Sequence, residues 1–252
     1  METTREQRAF LKADRWSEWR TVVSDQKKGV PVPPVEKPYP AKATLVDLVA
    51  PDKLTVGQMA LIDAIRQRRS RRQFTGASMS LEELSFLLWA TQGVSKTVTA
   101  DDGQVVRTLR TVPSGGARHP FETYLMVIRV DGVQPGLYRY LPVEHKLCLL
   151  RVDPNLVEQV HEASGRQYVL DSAVVFLWTA IPYRTEWRYG FLAPKIIAQD
   201  AGHLCQNLYL AAEAIGAGTC ALDAYDQRAA DAVLGLDGEE EFTVYMAPVG
   251  KV

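Results

Sequence analysis

The apolar residues of this chain fall into two spacings, and the spacing separates helices from strands. Between Pro194 and Ile215, the residues Ile196, Ile197, Ala201, Leu204, Leu208, Ala211, Ala212 and Ile215 form a wide apolar arc at helical period. They predict the longest helix, with Gly216 as its C-terminal cap. A helix this apolar belongs at the centre of a domain or of a dimer. Thr55–Arg69 reads as a second helix, striped by Met59, Leu61, Ile62 and Ile65. Leu81–Thr91 reads as a third, with a Ser80/Glu83 capping box at its start and Leu84, Leu87 and Leu88 on its buried face. Asp153-Pro154 opens a short helix that Gly165 stops, and Asp226 caps another that ends at Gly235. Strand character appears at Glu122–Val130, at Gly136–Leu141 with Lys146–Val152 as a hairpin, and at Glu241–Pro248. The continuous apolar run Ala173–Ile181 predicts a central strand buried on both faces. This order is α+β rather than a regular βαβ alternation.

The first 44 residues differ from the rest. Arg5–Val23 predicts an amphipathic helix with Phe10, Leu11, Trp16 and Trp19 on its apolar side. The prolines of Lys27–Pro40 favour an extended path. Residues 1–44 are read as an arm that wraps its own domain or a partner chain, and residues 45–252 as the compact domain. The balanced charge, 29 Lys+Arg against 30 Asp+Glu, offers no global attraction for nucleic acid or an anionic membrane. The charged N-terminus lacks the apolar stretch of a secretory signal, and no run is long enough to span a bilayer. A cytoplasmic protein is expected. Cys148, Cys205 and Cys220 are odd in number and far apart, so they read as buried free thiols. Their spacing gives no metal site.

Three segments carry candidate chemistry. Arg68-Arg69-Ser70-Arg71-Arg72 ends a helix and enters a turn; guanidinium forks and a compact hydroxyl match phosphate oxygens. Alone, it is equally a solvated basic turn. Pro113-Ser114-Gly115-Gly116, before a strand, lets backbone amides approach a ligand closely, although a plain turn would look the same. Gly216–Ala224 leaves the long helix and returns to the core. His119 beside the second segment is a candidate to touch a ligand, whereas His203 reads as a core or interface residue of the long helix.

Taken in order, these segments resemble the nitroreductase superfamily of FMN enzymes. The likeness is carried by RRSRRQF, LEELSFLLWATQGV, PSGGARHPFETYLMV, GLYRY, WRYG and DAGHLCQNLYLAAEAIGAG, from about Leu45 to the C-terminus. The branch most similar in these stretches contains azoline dehydrogenases of peptide natural products. The resemblance implies a three-layer α+β fold, with helices flanking a mixed, mainly antiparallel sheet, in an intertwined homodimer with two interfacial FMN sites. It implies that Arg68 and Ser70 hold the FMN phosphate, with Arg69 beside them, and that Arg72 lies near the pyrimidine edge. Gln167 would face the pyrimidine carbonyl. The backbone of Ala221, Leu222, Asp223 and Ala224 would line flavin N5 and O4. Pro113, Ser114, Gly115 and Gly116 would come from the second subunit. Where the family often has a basic pair after the last strand, only Lys251 is present.

The chemistry implied is ping-pong hydride transfer through flavin N5, fed by NADH or NADPH, to a small-molecule or peptide substrate. Arg188-Tyr189 stands where azoline-oxidising enzymes carry Lys-Tyr. Arginine stays protonated at neutral pH and is a poor base. Dehydrogenation of a modified peptide and a non-catalytic flavin- or partner-binding module are the alternatives.

Overall fold

The computed structural model describes residues 2–252. Seven helices appear among them: α1 (Glu2–Gln7), α2 (Leu61–Gln67), α3 (Leu81–Gln92), α4 (Leu156–Ala163), α5 (Tyr183–Tyr189), α6 (Ala193–Ala214) and α7 (Gln227–Leu234). The strands are β1 (Leu45–Asp47), β2 (Val94–Thr99), β3 (Val105–Arg110), β4 (Phe121–Val127), β5 (Gly136–Leu141), β6 (Lys146–Arg151), β7 (Val174–Ala180), β8 (Ala217–Thr219) and β9 (Phe242–Lys251). Seven of them form one sheet in the order β1-β6-β5-β4-β7-β9-β8, and β2 and β3 form a separate hairpin. Every ladder is antiparallel. The parallel component is confined to bridges such as Ser70 with Thr219.

β7 occupies the middle, as its unbroken apolar run requires, paired with β4 on one side and β9 on the other. All seven of its residues are buried. Alternate side chains of the sheet face two cores. On one face Leu125, Phe176 and Trp178 pack with Leu84, Leu87 and Leu88 of α3 and Leu204 and Leu208 of α6. On the other, Tyr124, Met126, Val175 and Leu177 pack with Leu156 and Val160 of α4 and Val233 of α7. Helices, sheet and helices make three layers. Cys148, Cys205 and Cys220 are buried free thiols. No helix among the described residues is long and apolar enough to cross a membrane.

Several local expectations hold. Ser80 and Glu83 make the reciprocal capping box of α3. Asp226 accepts from the Ala229 N–H, and Gly235 ends α7 in the left-handed region. Two helices differ. Thr55–Arg69 contracts to α2, because Gly57 sits in the left-handed region at φ +76 and lies against the ring of Phe86. A Cβ there would come within 2.4 Å of that ring, so the contact needs glycine and the turn it makes excludes a helix. Arg5–Val23 breaks into α1 and two short 3-10 segments, Arg8–Leu11 and Asp14–Arg20. The break falls at Lys12, which is extended, where the Lys195 ammonium donates to the carbonyls of Leu11 and Lys12.

The proline-rich segment lies along its own domain. Arg110 donates to the Val35 carbonyl at 3.0 Å, and Arg139 donates to those of Lys37 and Pro38 at 2.8 and 2.9 Å. The Lys37 N–H donates to Glu122, and the Val143 N–H donates to Glu36. Burial pushes the Glu36 carboxyl from 4.5 up to about 7, against the Val143 hydrogen bond, with Glu144 and Glu122 adding repulsion. The folded chain then holds this proton more tightly than the unfolded chain. The group's contribution to stability is complete below 4.5 and is lost as pH rises through about 7. In thermal unfolding, wild type should lose stability relative to Glu36→Gln across that window. A difference that stays flat with pH would refute the assignment.

Candidate flavin site

Arg68 closes α2, its N–H donating to the Ala64 carbonyl, and the chain then runs extended along the sheet edge. The Arg71 N–H donates to the Thr219 carbonyl at 2.9 Å, and the Thr75 N–H donates to the Lys251 carbonyl at 2.9 Å. Glycines on the sheet allow this approach. A Cβ at Gly218 would lie 2.5 Å from Arg71, and one at Gly250 would lie 2.8 Å from the Phe74 ring. The arginine turn is thus laid flat across the ends of β8 and β9.

Tyr209 of α6 ties this turn to the next segment. Its hydroxyl accepts from the Ala221 N–H at 2.9 Å and lies 3.1 Å from Ser70 Oγ. With the phenol donating to Ser70, the serine keeps its own proton for a ligand. The Arg68 guanidinium stands 5.4 Å from the Tyr209 ring centroid and has no carboxylate partner among the described residues. Gln167 meets the other end of the Ala221–Ala224 stretch. Its amide donates to the Ala224 carbonyl at 2.8 Å and to Ser164 at 2.7 Å. Gly165, Arg166 and Tyr168 all have positive φ, which turns the loop so that Gln167 meets Ala224. Arg68, Ser70, Gln167 and the Ala221–Ala224 backbone therefore share one corner.

Other candidates are committed elsewhere or lie apart. The Arg69 guanidinium donates to the carbonyls of Arg66 and Arg68, closing the end of α2. Arg72 is exposed beside a shallow hollow formed with Phe74, Tyr168 and Asp171. Lys251 pairs with Glu83 and donates to the Ile215 carbonyl. The Pro113–Gly116 segment is held by Asp200 of α6. The Ser114 hydroxyl donates to Asp200 at 2.6 Å, and the Gly115 N–H donates to it at 3.2 Å. Gly115 lies against Ile196 and Gly116 against Tyr189. Arg71 meets Glu213 near the other end of α6. Ile196 and Glu213 are about 25 Å apart along the axis at 1.5 Å per residue. Within one chain, this loop stands well away from the arginine turn.

Arg188 and Tyr189 accompany that loop. Tyr189 is half-buried beneath Trp19 and Trp16, with ring centroids at 5.3 and 6.1 Å. Arg188 donates to Gln26 at 3.3 Å. His119 is buried, and its N–H donates to Ser114 Oγ. Burial, with Arg110 and Arg118 nearby, lowers its pKa to about 3, so the ring is neutral. His203, expected in the core or an interface, is exposed in the single chain, 3.8 Å from Asp200. Tyr209 and Asp200, which organise the two clusters, were not singled out by sequence reasoning. Their signal was present as polar residues within the apolar arc of α6.

Fold and family match together are those of an oxidoreductase of the flavin type. The chain belongs to the Nitroreductase family, whose match runs over residues 65–251. It is 31% identical over 197 residues to "Putative nitroreductase MJ1384" of Methanocaldococcus jannaschii, covering 78% of this chain and 93% of that protein. It is 29% identical over 165 residues to the trifolitoxin-processing protein TfxB of Rhizobium leguminosarum bv. trifolii, covering 63% of this chain and 44% of that one. A Ralstonia eutropha JMP134 structure with the nitroreductase description superposes with a TM-score of 0.65 at 26% identity, over 88% of this chain and 98% of that chain. A Desulfovibrio desulfuricans structure of the same description, in complex with FMN, superposes with a TM-score of 0.50 at 21% identity, over 77% and 86%.

Proposed function

We propose that this protein is an FMN-dependent oxidoreductase that passes two electrons from reduced nicotinamide to an organic acceptor and works as a homodimer. The observation that carries the reading is the corner where Tyr209 joins Ser70 to Ala221 beside the unpaired Arg68. A free hydroxyl proton and an unpaired guanidinium suit a phosphate. Bound FMN supplies the two-electron chemistry itself; the protein binds it, orients it and sets its electrostatics. Arg68 and Ser70 hold the phosphate end. Arg72 brings positive charge to the pyrimidine end, and Gln167 is held at the Ala224 carbonyl close by. The Ala221–Ala224 backbone lies along the reactive edge. Lys251 stays with Glu83, which leaves the phosphate charge to Arg68.

The dimer reading rests on two features. The Pro113–Gly116 loop stands at the far end of α6 from the corner it is to complete. The α2 side chains Leu61, Ile62 and Ile65, part of the apolar stripe read from the sequence, are 65%, 56% and 56% exposed in the single chain. An apolar face of this kind marks a contact surface. In this reading residues 1–44 are an arm on the compact domain of residues 45–252.

Purified protein is expected to show flavin absorbance that bleaches anaerobically with NADH or NADPH. Bands that persist with both donors would reject the nicotinamide-fed reading and favour dehydrogenation of a modified peptide, for which the likeness to TfxB speaks. A colourless protein that FMN does not reconstitute would reject the flavin site.

A further inference from the structure

A cavity of about 800 Å³ opens between the first half of α6, β9 and the N-terminal arm. That size suits a small organic molecule. Its floor is apolar: Ile197 and Ala201 from α6, and Phe242, Val244 and Tyr245 from β9. Phe10 of the arm forms a wall, held there by the bonds from Lys195 to the carbonyls of Leu11 and Lys12. Asp223, from the stretch assigned to the flavin edge, forms another part of the lining. Tyr245 of the lining lies beside Cys205 and near Tyr209, the residue that joins Ser70 to Ala221.

The charged groups of this cavity have one sign. Glu186, Asp223, Glu239 and Glu240 line it, with no lysine, arginine or histidine among the lining residues. None of the four has an ion-pair partner among the described residues. The chain as a whole is nearly neutral, so the asymmetry is local. The rim is also built in place. Asp237 accepts hydrogen bonds from the N–H groups of Glu239, Glu240 and Glu241, which fixes the turn that carries two of the carboxylates. Burial, with the nearby charge of Glu240, raises the Glu186 carboxyl above its ordinary range. A cation placed between them would relieve that repulsion while its body covers the apolar floor.

We infer that this cavity is the substrate pocket of the oxidoreductase and that it selects small aromatic cations over neutral or anionic molecules of the same shape. The inference rests on the proposed flavin edge at Ala221–Ala224 for its redox role, and on the cavity alone for its charge preference.

The test uses the full-length protein and two aromatic probes of opposite charge, thioflavin T as the cation and anilinonaphthalene sulfonate as the anion, titrated by calorimetry. Thioflavin T is expected to bind at least tenfold more tightly. The double substitution Glu239→Gln/Glu240→Gln should weaken it at least fivefold and leave the sulfonate unchanged or tighter. In FMN-loaded protein, thioflavin T should inhibit reduction of a quinone acceptor competitively. Equal affinity for the two probes, or indifference to the double substitution, overturns the charge selection. Binding of neither probe by a dimer overturns it too, because a second copy then fills the cavity. Inhibition that is not competitive overturns the substrate role. If the protein holds no FMN, the titrations still read the cavity, so failure of the flavin reading and failure of this inference are distinguishable.

Discussion

Alanine in place of Arg68 is expected to weaken FMN binding about 10- to 100-fold while the fold stays intact. A charge-assisted hydrogen bond contributes roughly 1.5–3 kcal/mol, and each 1.4 kcal/mol is a factor of ten in affinity. Arg68 is the natural place for so large an effect. Its guanidinium contacts the Tyr209 ring and has no carboxylate to release, so removing it costs the folded chain little. Arg69 and Lys251 are engaged with helix carbonyls and with Glu83. They are poorly placed to compensate. Dialysis of the reconstituted variant against buffer, followed by the flavin spectrum, reads the affinity. Thermal unfolding of both apoproteins separates it from folding, because bound ligand itself raises the midpoint. A variant that retains full flavin occupancy would place the phosphate elsewhere. A variant apoprotein that fails to fold would give Arg68 a structural role instead.

The second large effect is on stability. Glu122→Ala should destabilise the protein by about 3–5 kcal/mol, because removing one member of a buried ion pair leaves charge uncompensated. Glu122 is 3% exposed on β4 and accepts from Arg184 at 2.5 Å and from the Lys37 N–H at 2.9 Å. Arg139 stands 3.9 Å from its other oxygen. Arg184 and Arg139 are themselves buried, so without Glu122 two cations face each other out of reach of bulk water. The neighbouring carboxylate, Glu241, is already engaged by Lys37, Tyr124 and Thr179. For a chain of this size the unfolding midpoint should fall by on the order of 10 °C. The double substitution Glu122→Ala/Arg184→Ala should recover part of the loss, since it removes one unpaired charge. Denaturant unfolding of the three variants checks both statements. A single substitution costing less than 1 kcal/mol would show that water reaches the network.

Much of the fold was legible because it depends on local rules. The capping box at Ser80 needs two side chains three residues apart. The apolar run of β7 has no solvent-facing position to offer. The wide apolar arc of α6 needs a broad apolar surface to cover it, which the sheet and α3 supply. The Asp226 cap and the left-handed Gly235 are likewise decided within one turn of helix. The arginine turn, the Gly115-Gly116 loop and the Gly216–Ala224 return were visible as types of residue suited to a ligand. Their family resemblance joined three weak signals into one proposed site, of which a single chain brings together only the first and the third.

What the sequence alone left open depends on contacts between distant segments. The hairpin of β2 and β3 carries Asp102-Gly103 at its turn but little apolar alternation, because only Thr108 and Arg110 of its strand residues are buried. The helix read over Thr55–Arg69 starts late, at Leu61, because Gly57 must meet Phe86, twenty-nine residues on. The N-terminal helix breaks where Lys195 takes two of its carbonyls. Tyr209 and Asp200 looked like interruptions of an apolar arc. Only the tertiary structure shows that one joins Ser70 to Ala221 and the other holds Ser114. The chain's periodicity and its short motifs therefore determined the layers and named most of the candidate binding groups. Folding decided which groups share a corner, which are already spent on partners such as Glu83, and where unpaired carboxylates gather around a cavity. Those outcomes depend on side chains far apart in sequence that meet only once the sheet is built.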